Sequence, residues 1–264
     1  MNIERVNENI YRTTIAYKDI FTTIYVIKTP NGAVLFDAAS FDEDVDHSIL
    51  PFLREVGVTR QDLKYVFISH NHKDHAGGLP ALLPKFPDVC VVSGSDSLAA
   101  EHEGYTFKKP EDNDILLDVL QVITIPGHTA DSMALLDKRT GTLITGDCLQ
   151  LYGIYGSGAW GSNIGFPVEL IQAVEKVRGL PVEEILTAHD YHPCGYHYCG
   201  TQQVARALDA CLAPIWKVKE LLKTNPNLDD AGICKQYNDA QYLPTLNARL
   251  VSAVRQAMAE GQIQ

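Results

Sequence analysis

The chain has 264 residues, of which 45% are hydrophobic, so it is long enough to bury a substantial core as one large domain. Acidic residues outnumber Lys and Arg by 33 to 22, giving a net charge of -11 without any basic block, which argues against nucleic acid as a partner. No apolar run reaches the length of a membrane span, and residues 1–5 lack the features of a secretory signal, so we expect a cytoplasmic protein.

The first hundred residues alternate strand-like and helical patterns. Pro30, Asn31 and Gly32 form a hairpin signal between the first two predicted strands. The predicted elements are strands at 22–29 and 33–37, a helix at 42–56, a strand at 65–69, a short helix at 76–83 and a strand at 89–92. This alternation favours an α/β layered fold.

The second half begins with strand patterns and ends with helical ones. Breakers at Pro126-Gly127 and Thr140-Gly141 separate short apolar runs that are typical of hairpin-connected strands. The predicted elements are strands at 120–125, 132–136 and 142–145, a helix at 167–177, a last strand at 184–187, and C-terminal helices at 201–222 and 243–258. An Asn/Asp/Pro-rich connection lies between the two C-terminal helices.

The most informative segment follows the predicted strand at 65–69 and concentrates metal-ligand side chains. In an extended segment His70 and His72 point to the same side, whereas Asp74 and His75 fall on the turn into the next element. One segment can therefore supply ligands to two adjacent ions. Imidazole and carboxylate ligands suit zinc, iron or manganese, so the pattern predicts a metal site without fixing the element.

Three further residues of ligand type stand at predicted strand ends. His128, Asp147 and His189 each follow an apolar run and lie beside a turn. Loops at one end of a sheet converge even when they are distant in sequence, because the strands fix their starting points. We therefore expect these side chains to join the His70–His75 cluster.

The succession H-x-H-x-D-H, His, Asp, His resembles the metallo-β-lactamase superfamily over residues 5–195. The resemblance implies a four-layer αβ/βα sandwich at 1–200, with a C-terminal helical extension at 201–264 packed on the same domain. It also implies His70, His72 and His128 on a first metal ion, Asp74, His75 and His189 on a second, and Asp147 bridging both. Asp37, at the end of an early strand, would support the site by hydrogen bonds, although a structural turn role fits it nearly as well.

The implied ligand set predicts a hydrolytic reaction. Five imidazoles and two carboxylates around two divalent ions leave a net charge of about +2, which favours a bridging hydroxide. Our hypothesis is that this hydroxide attacks the carbonyl of a small thioester, ester or lactone, with Asp74 orienting the nucleophile. Zinc is the favoured metal, and iron or manganese are the alternatives.

We expect the substrate contacts to lie in the two loops that follow Asp147 and His189. His192 also competes with His189 for the second metal, but His189 stands directly after its strand, as the family's last ligand does. Plain aromatic packing is the alternative for the aromatic candidates. The pocket candidates are Tyr152, Tyr155, Trp160, Tyr191, His192, Tyr196 and His197.

Several branches of the superfamily fit less well. The β-lactamase branches lack an acidic bridge such as Asp147, and the flavodiiron branch carries Glu at the position of His72. The remaining alternatives are a mononuclear iron dioxygenase of the persulfide type, a β-lactamase or phosphodiesterase activity on the same fold, and a non-catalytic metal-binding module. We expect a small-molecule partner and no nucleic acid or membrane. The C-terminal helices either cover the site or form the interface of a homo-oligomer.

The six cysteines are scattered along the chain, which favours reduced thiols. Cys194 and Cys199 are spaced C-x4-C near several histidines. A structural zinc site would need a second spaced pair, so a zinc role and a redox role for these two thiols both stay open.

Overall fold

The computed structural model describes residues 2–149, 164–191, 195–242 and 245–263. Its strands belong to two sheets, and helices lie on the outer side of each sheet. The strands are β1 (Ile3–Arg5), β2 (Ile10–Tyr17), β3 (Ile20–Thr29), β4 (Gly32–Phe36), β5 (Leu63–Ile68), β6 (Cys90–Ser93), β7 (Thr106–Lys108), β8 (Ile115–Leu116), β9 (Leu120–Thr124), β10 (Met133–Asp137), β11 (Thr142–Ile144), β12 (Glu184–Tyr191) and β13 (Gly195–Cys199).

The helices complete the succession of elements. A π-helical turn at Val45–Ile49 joins α1 to α2, and a 3-10 turn at Leu83–Lys85 follows α4. The α-helices are α1 (Asp42–Asp44), α2 (Leu50–Glu55), α3 (Lys73–Ala76), α4 (Leu79–Leu82), α5 (Asp96–Glu101), α6 (Pro167–Arg178), α7 (Thr201–Thr224), α8 (Asp230–Asp239) and α9 (Ala248–Ala259). Within the described residues, no helix has the length and apolar character needed to cross a membrane.

Strand pairing places the loops that matter for function at one edge of each sheet. The first sheet runs β1-β2-β3-β4-β5-β6-β7, with β4, β5 and β6 parallel. The second runs β13-β12-β11-β10-β9-β8, with β11 parallel to β12. Parallel strands end on the same side, so the segments that follow β4 and β5 lie together, as do those that follow β11 and β12.

Alternating side chains of the central strands supply three apolar cores. In β4, Leu35 packs against the first helical layer and Phe36 points between the sheets. In β10, Leu135 points between the sheets and Leu136 packs under the second helical layer. A period of two sends neighbouring residues to opposite faces. The result is the predicted α/β architecture, a four-layer αβ/βα sandwich, which is therefore confirmed.

The C-terminal helices share a core with the second sheet. Residues of α7 and α9, such as Ile215 and Val254, belong to the same buried cluster as Ile185 of β12. The amphipathic period of α7 brings Val204, Leu208 and the later apolar residues onto one face. A boundary between residues 200 and 201 stays a prediction.

The predicted helix at 76–83 is wrong in its bounds. Helical structure begins three residues earlier, in α3, and so includes Asp74 and His75. Gly77 and Gly78 lie between α3 and α4, and both positions require glycine because a Cβ there would overlap the carbonyl oxygens of Ser40 and Ala38. No local pattern reveals this close backbone contact.

The end of the chain departs from prediction at three elements. Strand β12 continues to Tyr191 rather than ending at 187, and β13 pairs with it as an unpredicted edge strand. The connection between the predicted C-terminal helices contains a third helix, α8, and α9 begins only at Ala248. The side chain of Asp229 accepts a hydrogen bond from the Gly232 amide and starts α8, so an Asp-rich stretch taken as a loop is a helix cap.

Candidate metal centre

The segment after β5 supplies four candidate ligands from two kinds of backbone. His70 and His72 precede α3, and His72 has the extended conformation of an N-cap residue. Asp74 and His75 lie in the first turn of α3, where a negative charge is favoured by the helix dipole. His70 and His75 are fully buried, whereas His72 is partly exposed. The cluster thus reaches from the interior to the surface.

The other three candidates come from the second sheet. His128 follows β9, Asp147 follows β11, and His189 lies near the end of β12. All three are at most 5% exposed. Gly146 has a φ of +54°, and a Cβ there would overlap Ser69 of the first sheet's loop. The close approach of Gly146 and Ser69 joins the two halves of the site.

A first group consists of His70, His72 and His128. His72 Nδ1 lies 2.9 Å from His70 Nε2 and 3.0 Å from His128 Nε2. Nitrogen ligands of a tetrahedral zinc ion lie about 3.3 Å apart, so the three atoms fit one cation. Burial lowers the pKa of His70 well below its usual value and also lowers the pKa of His72, which favours the neutral form that binds metal.

A second group consists of Asp74, His75 and His189. Asp74 Oδ2 lies 3.4 Å from His75 Nε2 and 3.4 Å from His189 Nε2. His75 Nε2 is buried and has no hydrogen-bond partner within the described residues. A buried polar atom without a partner is costly, and a bound cation would satisfy this nitrogen.

Asp147 lies between the two groups and offers one oxygen to each. Its Oδ1 is 3.1 Å from His189 Nε2 and 3.6 Å from His75 Nε2, and its Oδ2 is 3.7 Å from His128 Nε2. Although burial opposes ionisation, His189 and His75 hold the pKa of Asp147 well below its usual value. The carboxylate is therefore charged and placed between two potential cations.

Asp37 and Ser69 orient two of the histidines. The fully buried Asp37 accepts a hydrogen bond from His75 Nδ1 at 2.7 Å and from the Ser69 amide and hydroxyl at 2.8 and 3.0 Å. Ser69 Oγ also lies 3.1 Å from His70 Nδ1. Because Nδ1 of His75 donates to Asp37, its Nε2 faces the cluster and is the atom that can bind a cation once deprotonated. Asp37 has a φ of +65°, which is a turn conformation. The residue therefore both forms a turn and accepts the hydrogen bonds that support the site.

Two residues at the start of β3, at the same edge of the first sheet as the ends of β4 and β5, support the second group. The Phe21 carbonyl accepts a hydrogen bond of 2.6 Å from His189 Nδ1, and the Thr22 hydroxyl donates to Asp74 Oδ2 at 3.2 Å. Sequence analysis missed both residues and also Ser69. Ser69 was recognisable as the neighbour of His70, but no local signal links Phe21 or Thr22 to the metal ligands.

The pocket candidates on β12 and β13 have other partners. Tyr191, one of the pocket candidates, has a fully buried side chain, and its hydroxyl donates to Asp147 Oδ1. Tyr196 packs against Phe21 and Arg12, at 5.7 and 4.4 Å from the ring centroid. His197 Nε2 lies 2.6 Å from Glu184 at the start of β12. Tyr196 therefore lies beside Phe21, whose carbonyl accepts a hydrogen bond from His189, and His197 is paired with the Glu184 carboxylate.

The remaining predictions on the two loops concern residues 150–163 and 192–194. Cys199 is an exposed free thiol. The candidates that lie outside the described residues are Tyr152, Tyr155, Trp160, His192 and Cys194.

Comparison with known proteins gives a consistent set of relatives. A sequence profile described as the metallo-beta-lactamase superfamily matches residues 17–189. A hydroxyacylglutathione hydrolase from Thermosynechococcus vestitus is 31% identical over 156 residues, which cover 58% of this chain and 59% of the relative. A protein of the same name from Nostoc sp. is 30% identical over 53% of this chain and 56% of its own length. The match thus spans less than two thirds of these relatives.

Solved structures extend the likeness beyond the profile match. A flavodiiron protein from Giardia intestinalis superposes with a TM-score of 0.65 at 17% identity, covering 80% of this chain and 58% of that protein. The DIM-1 metallo-beta-lactamase superposes with a TM-score of 0.62 at 16% identity, covering 81% of this chain and 97% of that enzyme. At such low identity these structures share the fold alone.

Proposed function

The chain belongs to the metallo-β-lactamase superfamily, and on that premise we propose that it is a hydrolase of small thioesters, esters or lactones that works with two divalent metal ions. The observation that carries the proposal is the placement of Asp147, with one oxygen facing each of two ligand groups. Similarity to relatives named hydroxyacylglutathione hydrolase supports a thioester as the first substrate class to test.

The donor atoms suit divalent ions of zinc type. Five imidazoles and two carboxylates converge, and each outer imidazole nitrogen of His75 and His189 has an oxygen acceptor that fixes its orientation. The neighbouring Cys148 does not take part, because its thiol donates to the Met133 carbonyl. Imidazole and carboxylate ligands suit zinc, which is the first metal to test, and also suit iron or manganese.

Two such ions, when bound, would lower the pKa of a water molecule and polarise a substrate carbonyl. The protein's own contribution is orientation and exclusion of bulk water. The Thr22 hydroxyl and two histidines hold Asp74 Oδ2, so that Asp74 has a fixed position from which it can orient the attacking water. Burial of the second group keeps these charges effective.

The competing proposal is a mononuclear iron dioxygenase that uses the first group and one carboxylate. The two proposals differ in metal number and in the need for oxygen. One iron per chain together with consumption of oxygen would favour the dioxygenase, whereas two ions and turnover without oxygen would favour the hydrolase.

A substrate panel tests the proposal directly. The zinc-loaded protein would be assayed with a thioester, an ester, a lactone, a β-lactam and a phosphodiester. We expect hydrolysis of at least one of the first three, loss of that activity in His75→Gln, and retention in His47→Gln, whose imidazole is exposed outside the cluster. A protein with two bound ions and no activity on the first three compounds would contradict the proposal.

A further inference from the structure

Tyr191 connects the core of the second sheet to the metal centre. It follows His189 by two residues near the end of β12 and is fully buried. Its ring belongs to the same apolar cluster as Cys148 and Leu149, and it meets the His189 ring edge to face at a centroid distance of 6.2 Å. The aromatic body is therefore a core residue that touches one candidate ligand.

The hydroxyl of Tyr191 reaches the carboxylate that lies between the two ligand groups. Its Oη donates to Asp147 Oδ1 at 3.2 Å. That same oxygen faces the Nε2 atoms of His189 and His75, at 3.1 and 3.6 Å. Among the described residues, no other hydroxyl or amide donates to Asp147.

The contact bears on the rotation of the Asp147 carboxylate. The last torsion of an aspartate has no sharp preference, so a free carboxylate samples a broad range of twists. A donor in contact with Oδ1 holds that oxygen on the side of the second group and leaves Oδ2 facing His128 at 3.7 Å. Phe would fill the same apolar space as Tyr but could not supply this hydrogen bond.

We infer that Tyr191 is a positioning residue, which sets the twist of Asp147 so that one carboxylate serves both metal ions. The inference rests on the two-ion centre of the proposed function, but its test does not require turnover. Residues that orient a metal ligand from outside typically contribute about 10- to 100-fold to metal affinity.

The test compares Tyr191→Phe with Tyr198→Phe. Tyr198 lies on the adjacent strand β13, its ring is in the same cluster, and its hydroxyl donates to the Gly195 carbonyl at 2.7 Å. Metal-free protein would be titrated with Co²⁺ against a chelating indicator to obtain two dissociation constants. Visible absorption would report the coordination geometry, and thermal unfolding of each metal-free variant would report stability.

We expect Tyr191→Phe to bind one ion as the wild type does, to bind the other about 10- to 100-fold more weakly, and to show an altered Co²⁺ spectrum. Tyr198→Phe should match the wild type in both constants and in the spectrum. Unchanged affinities in Tyr191→Phe, or equal losses in both variants, would overturn the inference.

The same titration separates this inference from the proposed function. A wild-type protein that binds fewer than two ions would overturn both. A wild-type protein that binds two ions but hydrolyses nothing in the panel would contradict only the hydrolase, and the affinities of the two variants would still decide the role of Tyr191.

Discussion

The two ligand groups of the centre differ in how the protein supports them. The first group is made of imidazoles alone, and its His72 is partly exposed. The second is buried and contains a carboxylate, and each of its histidines donates a hydrogen bond to a fixed acceptor, the Asp37 carboxylate or the Phe21 carbonyl. The protein thus orients the second group more completely than the first.

The pKa values of the histidines also differ between the two ligand groups. Burial lowers the pKa values of His70 and His72. At His189 burial acts in the same direction, but the carboxylate of Asp147 outweighs it and raises the pKa to about 9. Carboxylates lie against the histidines of the second group as ion-pair partners, whereas burial favours the neutral imidazoles of His70 and His72 in the first. A cation bound by the second group therefore has to displace the proton of His189.

Replacing Asp147 removes the link between the groups and should have the largest effect. In Asp147→Ala, we expect occupancy of the second ion and hydrolysis to fall together, by about 100-fold or more, because two histidines lose their counter-charge and the bridge is absent. Metal analysis and turnover of the purified variant would measure this. Asp88→Ala, at an exposed surface position, serves as the matched control. Two retained ions with full turnover would remove Asp147 from the bridging position.

The pH dependence of metal binding should separate the groups next. His189, with its pKa raised to about 9, carries a proton at pH 7 that the second ion must displace. Raising the pH from 7 to 9 should strengthen binding of that ion by about 50-fold through His189 alone, and by more because the pKa of His75 is also raised well above its usual value by Asp74 and Asp37, against the effect of burial. Binding by the first group should change little over this range, because the pKa values of His70 and His72 are lowered. Chelator competition at pH 7, 8 and 9 measures how the affinity for each ion changes with pH. An equal change for both ions would contradict the difference between the two groups.

Asp37 supports the second group directly through His75 and reaches the first group only through Ser69. Substitutions of Asp37 and Ser69 can therefore be compared for their effects on the two ions. Asp37→Asn should weaken the second ion about 10- to 100-fold, because His75 loses the carboxylate that orients it. Ser69→Ala should weaken the first ion through the lost contact with His70 and should weaken the second ion less than Asp37→Asn does, because the Ser69 hydroxyl reaches that group mainly through Asp37. Separate titration of the two variants checks this order. If Ser69→Ala weakened the second ion more than Asp37→Asn did, the assignment of supports would be wrong.

Thr22→Val should give the smallest change. The substitution keeps the shape of the buried side chain and removes one long hydrogen bond of 3.2 Å to Asp74, worth about 1.5 kcal/mol, the lower end of the range for a charged acceptor. We expect the second ion to bind severalfold to roughly tenfold more weakly and the affinity for the first ion to be unchanged. Isothermal titration of the metal-free variant measures this difference, and an effect confined to the first ion would contradict the placement of Thr22.

Local spacing explains why much of the fold and the candidate ligands could be predicted. The two-residue period of the strands and the breakers at Pro126-Gly127 identified the layers, and the H-x-H-x-D-H succession identified four candidates on one segment. His128, Asp147 and His189 were recognisable because strand ends converge. These features depend on neighbours along the chain or on general sheet geometry.

Contacts between distant segments explain what the sequence did not disclose. Thr22 and Asp74 are 52 residues apart, and Tyr191 and Asp147 are 44 apart, so each pairing exists only after the strands of its own sheet have assembled. The pattern around Tyr191 was equally typical of a pocket wall. The close contact of Gly77 with the Ser40 carbonyl, 37 residues away along the chain, is likewise invisible in the local sequence. Ligand identity is thus encoded locally, whereas ligand orientation is encoded by packing.

The stoichiometry of reconstitution tests the central claim most directly. Metal-free protein would receive increasing equivalents of Zn²⁺, with bound metal and hydrolysis of the best thioester, ester or lactone measured at each step. We predict that two ions bind per chain and that hydrolysis reaches its maximum only when the second is bound. Full activity at one ion per chain, or two bound ions without hydrolysis, would contradict the account.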